Sequence, residues 1–259
     1  MKHTFYKYQG TGNDFVIIDN REGIFDKEDT KLVANLCDRR FGIGADGLIL
    51  LENCIDADFK MVYYNSDGNE STMCGNGGRC LVAFAKEIGV INNDTVFLAI
   101  DGLHHAKIEG HIVKLQMQDV PKIETFSKHV FLDTGSPHHV EVRENVDALD
   151  IQKEGASIRY GQPYNDEGAN VNFVEKIDDS IFSVRTYERG VEGETFSCGT
   201  GVTAVGIAMK ATGKTQENLI TLKTKGGDLK VSFKPEGDGF KDVWLIGPAT
   251  LVYKGQIEW

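Results

Sequence analysis

The chain has 259 residues, with 41% hydrophobic and 26% charged side chains, which is typical of a globular protein long enough for two domains. A formal net charge of −11 disfavours nucleic acid and anionic membrane surfaces as partners. We expect neither a signal peptide nor a membrane span, because no apolar run has the length that either requires.

Five cysteines are spread through the chain: Cys37, Cys54, Cys74, Cys80 and Cys198. Their odd number argues against a disulfide framework and, without a secretion signal, predicts a reducing compartment, which we take to be the cytoplasm. No two of them have the close spacing of a zinc site, so the sequence predicts no metal.

The first half begins as strand, turn and strand over residues 5–19. Residues 26–37 follow as a predicted surface helix, and residues 48–51 as an apolar strand after a glycine-rich loop. Residues 59–65 predict another strand, and residues 95–118 predict antiparallel strands joined by Asp-Gly and Glu-Gly turns.

The run Cys-Gly-Asn-Gly-Gly-Arg at residues 74–79 opens a predicted helix in this half. Its apolar residues recur at three- and four-residue spacing: Leu81, Phe84, Ala85 and Ile88. Gly89 suits the end of the helix, since glycine readily adopts the left-handed conformation found there. The cysteine therefore stands at the N-terminus of a largely buried helix.

The second half repeats this plan. Strand-like segments occupy residues 130–133, 170–174, 181–188, 219–233 and 243–252, with a long loop at residues 160–165. The run Cys-Gly-Thr-Gly-Val at residues 198–202 opens a second apolar helix, which ends at Gly213.

The spacing of these motifs indicates an internal duplication. The two Cys-Gly-x-Gly runs begin 124 positions apart, and the Thr-Gly pairs that begin at Thr11 and Thr134 are 123 positions apart. Each cysteine also precedes its terminal glycine by 15 positions. We therefore predict two homologous halves that face each other, with a site between them.

The chemistry follows from a thiol at a helix N-terminus. The helix end lowers the thiol pKa, and its free N–H groups can receive a carboxylate. Taken alone, Cys74 could equally be a small buried residue. Two facing helix ends could hold one carboxylate and flank the carbon that bears it, so one thiolate removes a proton and the opposite thiol supplies one. This arrangement predicts a racemase or epimerase.

Other polar residues stand at corresponding turns of the two halves. His138 and Glu188 are candidates for adjusting the ionisation of the thiols, although each is as readily a structural or surface residue. Four side chains could bind the rest of a substrate: Asn13, Asn65, Asn170 and Arg189. Asparagine is common in turns, whereas arginine suits a second carboxylate through a bidentate pair.

These motifs resemble those of the diaminopimelate epimerase family. The matching segments are residues 10–15, Asn65, residues 73–80, residues 187–190 and residues 193–201, in the order in which the family has them. The resemblance implies an isomerase of lysine biosynthesis that interconverts LL- and meso-2,6-diaminopimelate. It also implies a homodimer that uses neither pyridoxal phosphate nor a metal.

The resemblance assigns roles to residues of this chain. Cys74 and Cys198 correspond to the two acid/base thiols. Four helix-end positions correspond to those that receive the reacting carboxylate: Gly75, Asn76, Gly199 and Thr200. Five correspond to further substrate ligands, several of them for the distal end: Asn13, Asn65, Asn170, Glu188 and Arg189. His138 and Glu188 correspond to residues that modulate the thiols.

The implied fold is α/β (α+β), with two pseudo-symmetric domains, each a strand-rich, barrel-like wrap around a central helix, and an active site in the cleft between them. We expect the first domain over residues 1–118 and the second over residues 119–248. The tail, residues 249–259, is expected to pack back on the first domain.

The chain departs from the family pattern in three places. Ser136 stands where many members have asparagine, which leaves at most a weaker substrate contact there. Gly47 stands where many have glutamine, and the loop from Glu188 to Cys198 is one residue longer than in many members. These differences concern recognition of the distal end rather than the two-thiol chemistry.

The sequence leaves three alternative functions open. A proline or hydroxyproline racemase would share the plan, but Asn65, Asn170 and the Tyr-Glu-Arg-Gly run at residues 187–190 favour an acyclic substrate with a second polar end. A non-catalytic protein that binds an anion or amino acid would not need the thiols. A thiol–disulfide protein would join Cys74 to Cys198 when oxidised.

Overall fold

The computed structural model describes residues 1–259, which divide into two compact units. The first unit consists of residues 1–115 and 247–259, and the second of residues 116–246. No helix combines the length and the apolar character that crossing a membrane would require.

The first unit has seven strands and two helices before the chain enters the second. They are β1 (Lys2–Gly10), β2 (Asn13–Asp19), α1 (Thr30–Cys37), β3 (Gly47–Glu52), β4 (Phe59–Asn65), α2 (Gly75–Glu87), β5 (Asp94–Ala99), β6 (Gly102–Glu109) and β7 (Ile112–Gln116). The pairing from β1 to β6 alternates antiparallel and parallel, and β6 then pairs antiparallel with β7.

Helix α2 is the buried centre of the first unit. Ten of its residues are buried, among them Leu81, Phe84 and Ala85 from the apolar pattern. Its glycines allow close packing, because a Cβ on Gly77 would lie 3.1 Å from Ile49 Cδ1. The N-terminal turn of α2 is thereby held against the strands.

The second unit has nine strands and two α-helices. They are β8 (Ile123–Thr125), β9 (Val130–Asp133), β10 (Pro137–Val142), α3 (Ile151–Arg159), β11 (Asn170–Asp178), β12 (Ile181–Glu188), β13 (Gly193–Thr195), α4 (Gly199–Ala211), β14 (Leu219–Thr224), β15 (Gly227–Glu236) and β16 (Gly239–Pro248). A 3₁₀ turn at Val146–Ala148 precedes α3. Helix α4 is buried like α2, along ten of its residues.

The strand pairing repeats between the units. From β9 through β10, β11, β12, β14 and β15 to β16, the pairs are antiparallel, parallel, antiparallel, parallel, antiparallel and antiparallel. This is the same series as from β1 to β7, with β13 as an additional strand beside β12. The α+β fold class with two pseudo-symmetric halves, each built of strands around one helix, is confirmed.

The end of the chain belongs to the first unit. Strand β17 (Thr250–Glu258) pairs antiparallel with β1, from Lys2 opposite Glu258 to Gln9 opposite Thr250. The terminal Trp259 stacks on His3, with ring centroids 4.1 Å apart. These contacts close the first unit with residues from both ends of the sequence.

Two helices differ from the sequence prediction. Helix α1 begins at Thr30 rather than at residue 26, because the Asp29 carboxylate caps it by accepting a hydrogen bond from Leu32 N at 2.9 Å. The apolar spacing did not predict α3, which starts after Asp150 and packs Gly155 so closely that a Cβ there would lie 2.4 Å from Tyr187 Cβ.

Candidate active site

Cys74 is the N-cap residue of α2, with an extended backbone at φ −103° and ψ 123°. Its thiol donates to Asn13 Oδ1, 3.6 Å away, and Asn76 Nδ2 donates to the same oxygen at 3.3 Å. The first N–H groups of an α-helix have no acceptor within the helix. This end of α2 therefore presents a thiol beside backbone amides that can receive an anion.

The amide of Asn13 is oriented by Asp46. Asn13 Nδ2 donates to Asp46 Oδ2 at 2.7 Å, which leaves Asn13 Oδ1 toward Cys74 and Asn76. Asp46 is itself held by Arg39 Nη2 at 2.7 Å. The residue that presents an acceptor to the thiol is thus positioned by charged groups.

A second carboxylate, Asp14, ties this network to the core. It pairs with Lys7 Nζ at 2.7 Å and with both terminal nitrogens of Arg39 at 2.7 and 3.0 Å. Lys7 also donates to the carbonyl of Gly44. Burial of Asp14 raises its pKa, but the hydrogen bonds and charges of Arg39 and Lys7 outweigh burial and hold the pKa below its ordinary value.

The Asp14→Asn variant is expected to lose about 2 kcal/mol of unfolding free energy at pH 7, because Lys7 is buried and would lose its anionic partner. Since the folded state depresses the pKa of Asp14, its contribution is present above about pH 4 and is lost as the pH falls toward the folded pKa. Urea unfolding should therefore show a difference between the two proteins that shrinks below pH 4. Asp56→Asn, at an exposed loop position, is the control.

Arg79 is a fully buried cation in the second turn of α2. Its Nη1 donates to Gly75 O at 3.3 Å, and its Nη2 donates to Asn76 Oδ1 at 3.0 Å and to Thr11 Oγ1 at 3.2 Å, whereas its Nε has no hydrogen-bond partner. Burial lowers the pKa of Arg79 to about 10, so the guanidinium remains charged at neutral pH. Arg79 fixes the Asn76 amide and places a positive charge five residues after Cys74.

Cys198 occupies the corresponding position in the second unit. It is the N-cap residue of α4, with φ −116° and ψ 115°, and its Sγ lies 3.5 Å from Thr200 Oγ1. The residue five positions later is Thr203, whose hydroxyl donates to Gly199 O at 2.9 Å. The two helix ends therefore share their geometry but differ in charge, with a guanidinium in one and a hydroxyl in the other.

The polar residues behind Cys198 form a connected cluster. Ser136 Oγ lies 3.3 Å from Thr200 Oγ1, 3.0 Å from His138 Nε2 and 3.1 Å from Asn170 Nδ2. On the other side of the imidazole, Asn172 Nδ2 lies 3.1 Å from His138 Nδ1. Burial, followed by the charge of Arg189, lowers the pKa of His138 to about 3, so this imidazole is neutral at ordinary pH.

A neighbouring histidine has the same property, which predicts how stability depends on pH. Burial, followed by the charge of His129, lowers the pKa of His139 to about 4. Because both folded pKa values lie below the ordinary value of about 6.5, the unfolded state binds more protons in this window, and stability falls as the pH drops below 6.5.

Each histidine is expected to remove about 1.4 kcal/mol of unfolding free energy per pH unit in that window. Urea unfolding at pH 7.5, 6.5 and 5.5 measures this slope, and His139→Gln should make it shallower. Equal stability of the native chain at pH 7.5 and pH 5.5 would contradict the prediction.

Glu188 and Arg189 lie at the end of β12, in a loop held by several contacts. Thr195 Oγ1 donates to Glu188 Oε2 at 2.9 Å, and Arg189 N donates to Asn170 Oδ1 at 2.9 Å. Arg189 Nη1 donates to the carbonyl of Glu167 at 3.0 Å. The segment is therefore anchored beside Asn170 while the Arg189 residue remains exposed.

Glu192 braces the loop that follows β12. Its φ is +56°, and its carboxylate accepts hydrogen bonds from Gly190 N at 3.1 Å, Tyr160 Oη at 2.8 Å and Tyr187 Oη at 3.2 Å. Arg159 Nη2 approaches the same carboxylate at 3.3 Å.

Asn65 is exposed at the end of β4, opposite Gly47 in the strand ladder. A Cβ on Gly47 would lie 2.6 Å from both the ring of Tyr63 and the carbonyl of Tyr64, so a larger residue could not occupy this position without rearrangement. The absence of a side chain at Gly47 thus makes room for the Tyr63 ring beside Asn65.

The structure brings together two sets of predicted residues. In the first unit Cys74, Asn13 and Asn76 are in contact, and in the second unit Cys198 joins Thr200, Ser136, His138 and Asn170 through successive contacts. Sequence reasoning missed three residues that orient these sets, namely Asp46, Arg79 and Asn172. No group of three or more His, Cys, Asp or Glu side chains is arranged to hold a metal ion.

Comparison with known proteins identifies the family of this chain. The model of the family described as diaminopimelate epimerase matches residues 5–120 and 130–252. The diaminopimelate epimerase of Flavobacterium psychrophilum is 60% identical over 253 residues, covering 97% of this chain and 99% of that protein. The diaminopimelate epimerase of Chlorobaculum tepidum is 43% identical, with 96% and 98% covered.

Solved structures of low sequence identity share the fold. A phenazine biosynthesis protein of the PhzF family from Bacillus anthracis superposes with a TM-score of 0.81 at 13% identity, over 100% of both chains. A hydroxyproline epimerase from Agrobacterium vitis superposes with a TM-score of 0.70 at 14% identity, over 99% of this chain and 92% of that one.

Proposed function

The chain belongs to the diaminopimelate epimerase family, and from this membership we propose that it inverts one α-carbon of diaminopimelate with two cysteine thiols. It is an isomerase that acts on a small amino acid, and its reaction is the interconversion of the LL and meso isomers in lysine biosynthesis. The observation that carries the proposed mechanism is the placement of Cys74 and Cys198 as N-caps of equivalent helices in two units of the same strand plan.

In the proposed mechanism the two thiols act on opposite faces of one carbon. The thiolate of one cysteine takes the α-proton, and the electron pair left on the carbon is stabilised by the adjacent carboxylate. The other cysteine then delivers its proton to the opposite face, which inverts the carbon. The first sulfur ends as a thiol and the second as a thiolate, so the reverse reaction starts from the opposite ionisation state. Only side chains of this chain take part in the proton transfers.

The helix ends are proposed to bind the reacting carboxylate. The first-turn amides after each cysteine lack intrahelical acceptors, and Asn76 places a side-chain amide donor beside those of α2. A carboxylate bound there would gain stabilisation as negative charge develops on the α-carbon.

The distal end of the substrate is proposed to be bound by Asn65, Asn170, Glu188 and Arg189. Arg189 supplies a guanidinium for the second carboxylate, and the Glu188 carboxylate suits the second ammonium group. Hydrogen bonding of Arg189 N to Asn170 Oδ1 supports this grouping, because it joins two of the proposed ligands.

The test is incubation of the reduced protein with LL-diaminopimelate in heavy water without added cofactor. We expect the meso isomer to form with solvent deuterium at one α-carbon, as followed by chiral chromatography and mass spectrometry. Absence of conversion would overturn the proposed substrate. The same assay on proline and hydroxyproline would then test the nearest alternative, a proline or hydroxyproline racemase. We name this alternative because a hydroxyproline epimerase shares the fold.

We propose further that the enzyme is a cytoplasmic homodimer. The support is the family resemblance together with five cysteines in a chain that shows no disulfide. Light scattering of the reduced protein should give twice the chain mass of 28.6 kDa, and a monomer mass across the micromolar range would contradict the dimer.

A further inference from the structure

Between His138 and Cys198 runs a chain of hydroxyl groups within the second unit. His138 Nε2 lies 3.0 Å from Ser136 Oγ, which lies 3.3 Å from Thr200 Oγ1, which lies 3.5 Å from Cys198 Sγ. Two hydroxyl groups separate the imidazole from the sulfur along this series. Any effect of His138 on Cys198 along it must therefore pass through Ser136 and Thr200.

The tautomer of the His138 imidazole is fixed by Asn172, which contacts the Nδ1 side of the ring. Asn172 Nδ2 donates to the carbonyl of His139 at 3.0 Å, and Asn172 Oδ1 accepts from Thr186 Oγ1 at 2.9 Å, so the amide orientation is determined by its partners. The nitrogen that faces His138 Nδ1 is consequently a donor. Because this imidazole is neutral, its one ring proton lies on Nε2 and points to Ser136.

The direction of the next bond is fixed in the same way. Asn170 Oδ1 accepts from Arg189 N at 2.9 Å, so the Asn170 atom that approaches Ser136 Oγ at 3.1 Å is the amide nitrogen, a donor. Ser136 Oγ thus receives hydrogen bonds from both His138 and Asn170. Its two acceptor positions are filled, and its own hydrogen is directed to Thr200 Oγ1.

The last hydroxyl then faces the sulfur. Thr200 Oγ1 accepts the Ser136 hydrogen, which leaves the Thr200 hydrogen available for Cys198 Sγ at 3.5 Å. A hydrogen bond donated to a sulfur favours its thiolate form. Two amide donors, Asn172 at His138 and Asn170 at Ser136, therefore direct both O–H groups of the series toward the thiol.

We propose that Ser136 is a positioning residue that relays hydrogen bonding from His138 through Thr200 to Cys198 and so stabilises the Cys198 thiolate. The inference rests on the proposed function, in which Cys198 alternates between thiol and thiolate. It also leaves Ser136 without spare hydrogen-bonding capacity for the substrate, in contrast to the weaker substrate contact expected from the sequence.

Other charged groups of this unit could also influence the thiol. The strands around this end of α4 carry Asp133, His138 and Glu188, and Arg189 follows β12 directly. The Asp133 carboxylate accepts a hydrogen bond from Gly135 N at 2.8 Å, and the Glu188 carboxylate accepts one from Thr195 Oγ1. Replacing Ser136 changes none of these charges, so it isolates the hydroxyl relay.

The experiment measures the ionisation of each thiol separately. Reduced protein is alkylated with iodoacetamide at a series of pH values, and the modified peptides containing Cys74 and Cys198 are quantified by mass spectrometry. In Ser136→Ala the rate at Cys198 near pH 7 should fall about 3–10-fold, the size expected for loss of one hydrogen bond, and its pH midpoint should rise. The pH midpoint for Cys74 should not move.

Ser136→Thr keeps the hydroxyl and should therefore have the native pH midpoint for alkylation of Cys198. If Ser136→Ala acted only by disturbing the fold, this return to the native midpoint would not be expected. Thr200→Val should raise the midpoint as Ser136→Ala does, and Thr200→Ser should not. An unchanged Cys198 midpoint in folded Ser136→Ala, or an equal shift at Cys74, would overturn the proposal.

This measurement is independent of substrate. If the protein failed to convert diaminopimelate, the thiol midpoints would still report on the relay. If it converted diaminopimelate while Ser136→Ala left the Cys198 midpoint unchanged, the proposed function would stand and the relay would be wrong. For turnover, we expect kcat to fall about 3–10-fold in Ser136→Ala, with KM within about twofold of the native value.

Discussion

Alanine at Cys74, or at Cys198, is expected to lower kcat for epimerisation by about 10²–10⁴-fold, the contribution of a positioned general acid or base. In the proposed mechanism either substitution removes one of the two proton carriers, so the α-carbon can no longer be deprotonated on one face and reprotonated on the other. The variants should bind the substrate nearly as well as the native chain, because the helix-end amides remain. Steady-state kinetics with chiral product analysis measures both quantities.

Cys80→Ala is the matched control for this experiment. Cys80 lies in the same helix as Cys74 but is completely buried, and burial raises its pKa to about 12, so it cannot serve as a base near neutral pH. Cys80→Ala should retain kcat within a few fold. The double variant at Cys74 and Cys198 should be no slower than the slower single one, because the two thiols are proposed to act as a unit. An alanine variant with more than a tenth of native kcat would contradict the two-thiol mechanism.

Replacing Arg189 with methionine is expected to raise KM for diaminopimelate about 10–100-fold, with a smaller effect on kcat. The guanidinium is proposed to bind the distal carboxylate, and a charge-assisted pair in a binding site has this size of effect. Arg189→Lys keeps the charge but loses the bidentate geometry, so its KM should lie between those of the native chain and Arg189→Met. Initial rates over a wide range of substrate concentration separate KM from kcat.

Arg143→Met provides the control arginine in the same unit. Arg143 pairs with Glu141 at 2.8 Å and with Glu154 at 3.2 Å and belongs to neither the predicted site nor the relay. Its replacement should leave KM unchanged. A KM for Arg189→Met within twofold of the native value would remove Arg189 from the proposed ligands of the distal carboxylate.

Local patterns in the sequence were sufficient to predict the helices that carry the thiols. Apolar residues at helical spacing, glycines at both ends and an equal distance from cysteine to terminal glycine indicate α2 and α4, and the structure gives each 13 residues. The pseudo-symmetry of the two halves was also predictable, because the motifs recur at nearly equal spacing. The structure adds the repeated order of parallel and antiparallel strand pairs, which the spacing of motifs could not predict.

The residues that orient the site could not be predicted in the same way. Asn172 looks like any polar residue at alternate positions of a strand, and only its contacts with His138 and the carbonyl of His139 reveal its role. Asp46 is separated from Asn13 by 33 residues, so its contact depends on the parallel pairing of β2 with β3. Long-range contacts of this kind leave no periodic signal in the sequence.

Helix α3 was missed for a related reason. Its sequence contains a glycine, which ordinarily weakens a helix, and its apolar residues are few. The structure shows that Gly155 is needed for close approach to Tyr187. The helix is stabilised by its tertiary packing, and this overrides the local preference.

The difference between Arg79 and Thr203 makes the two halves electrostatically unequal. A protein made of two first halves would carry a buried guanidinium behind both thiols, and one made of two second halves would carry none. The two units therefore differ in charge at equivalent positions of their central helices. A chimera that repeats either half would make the two helix ends identical and remove this difference in charge.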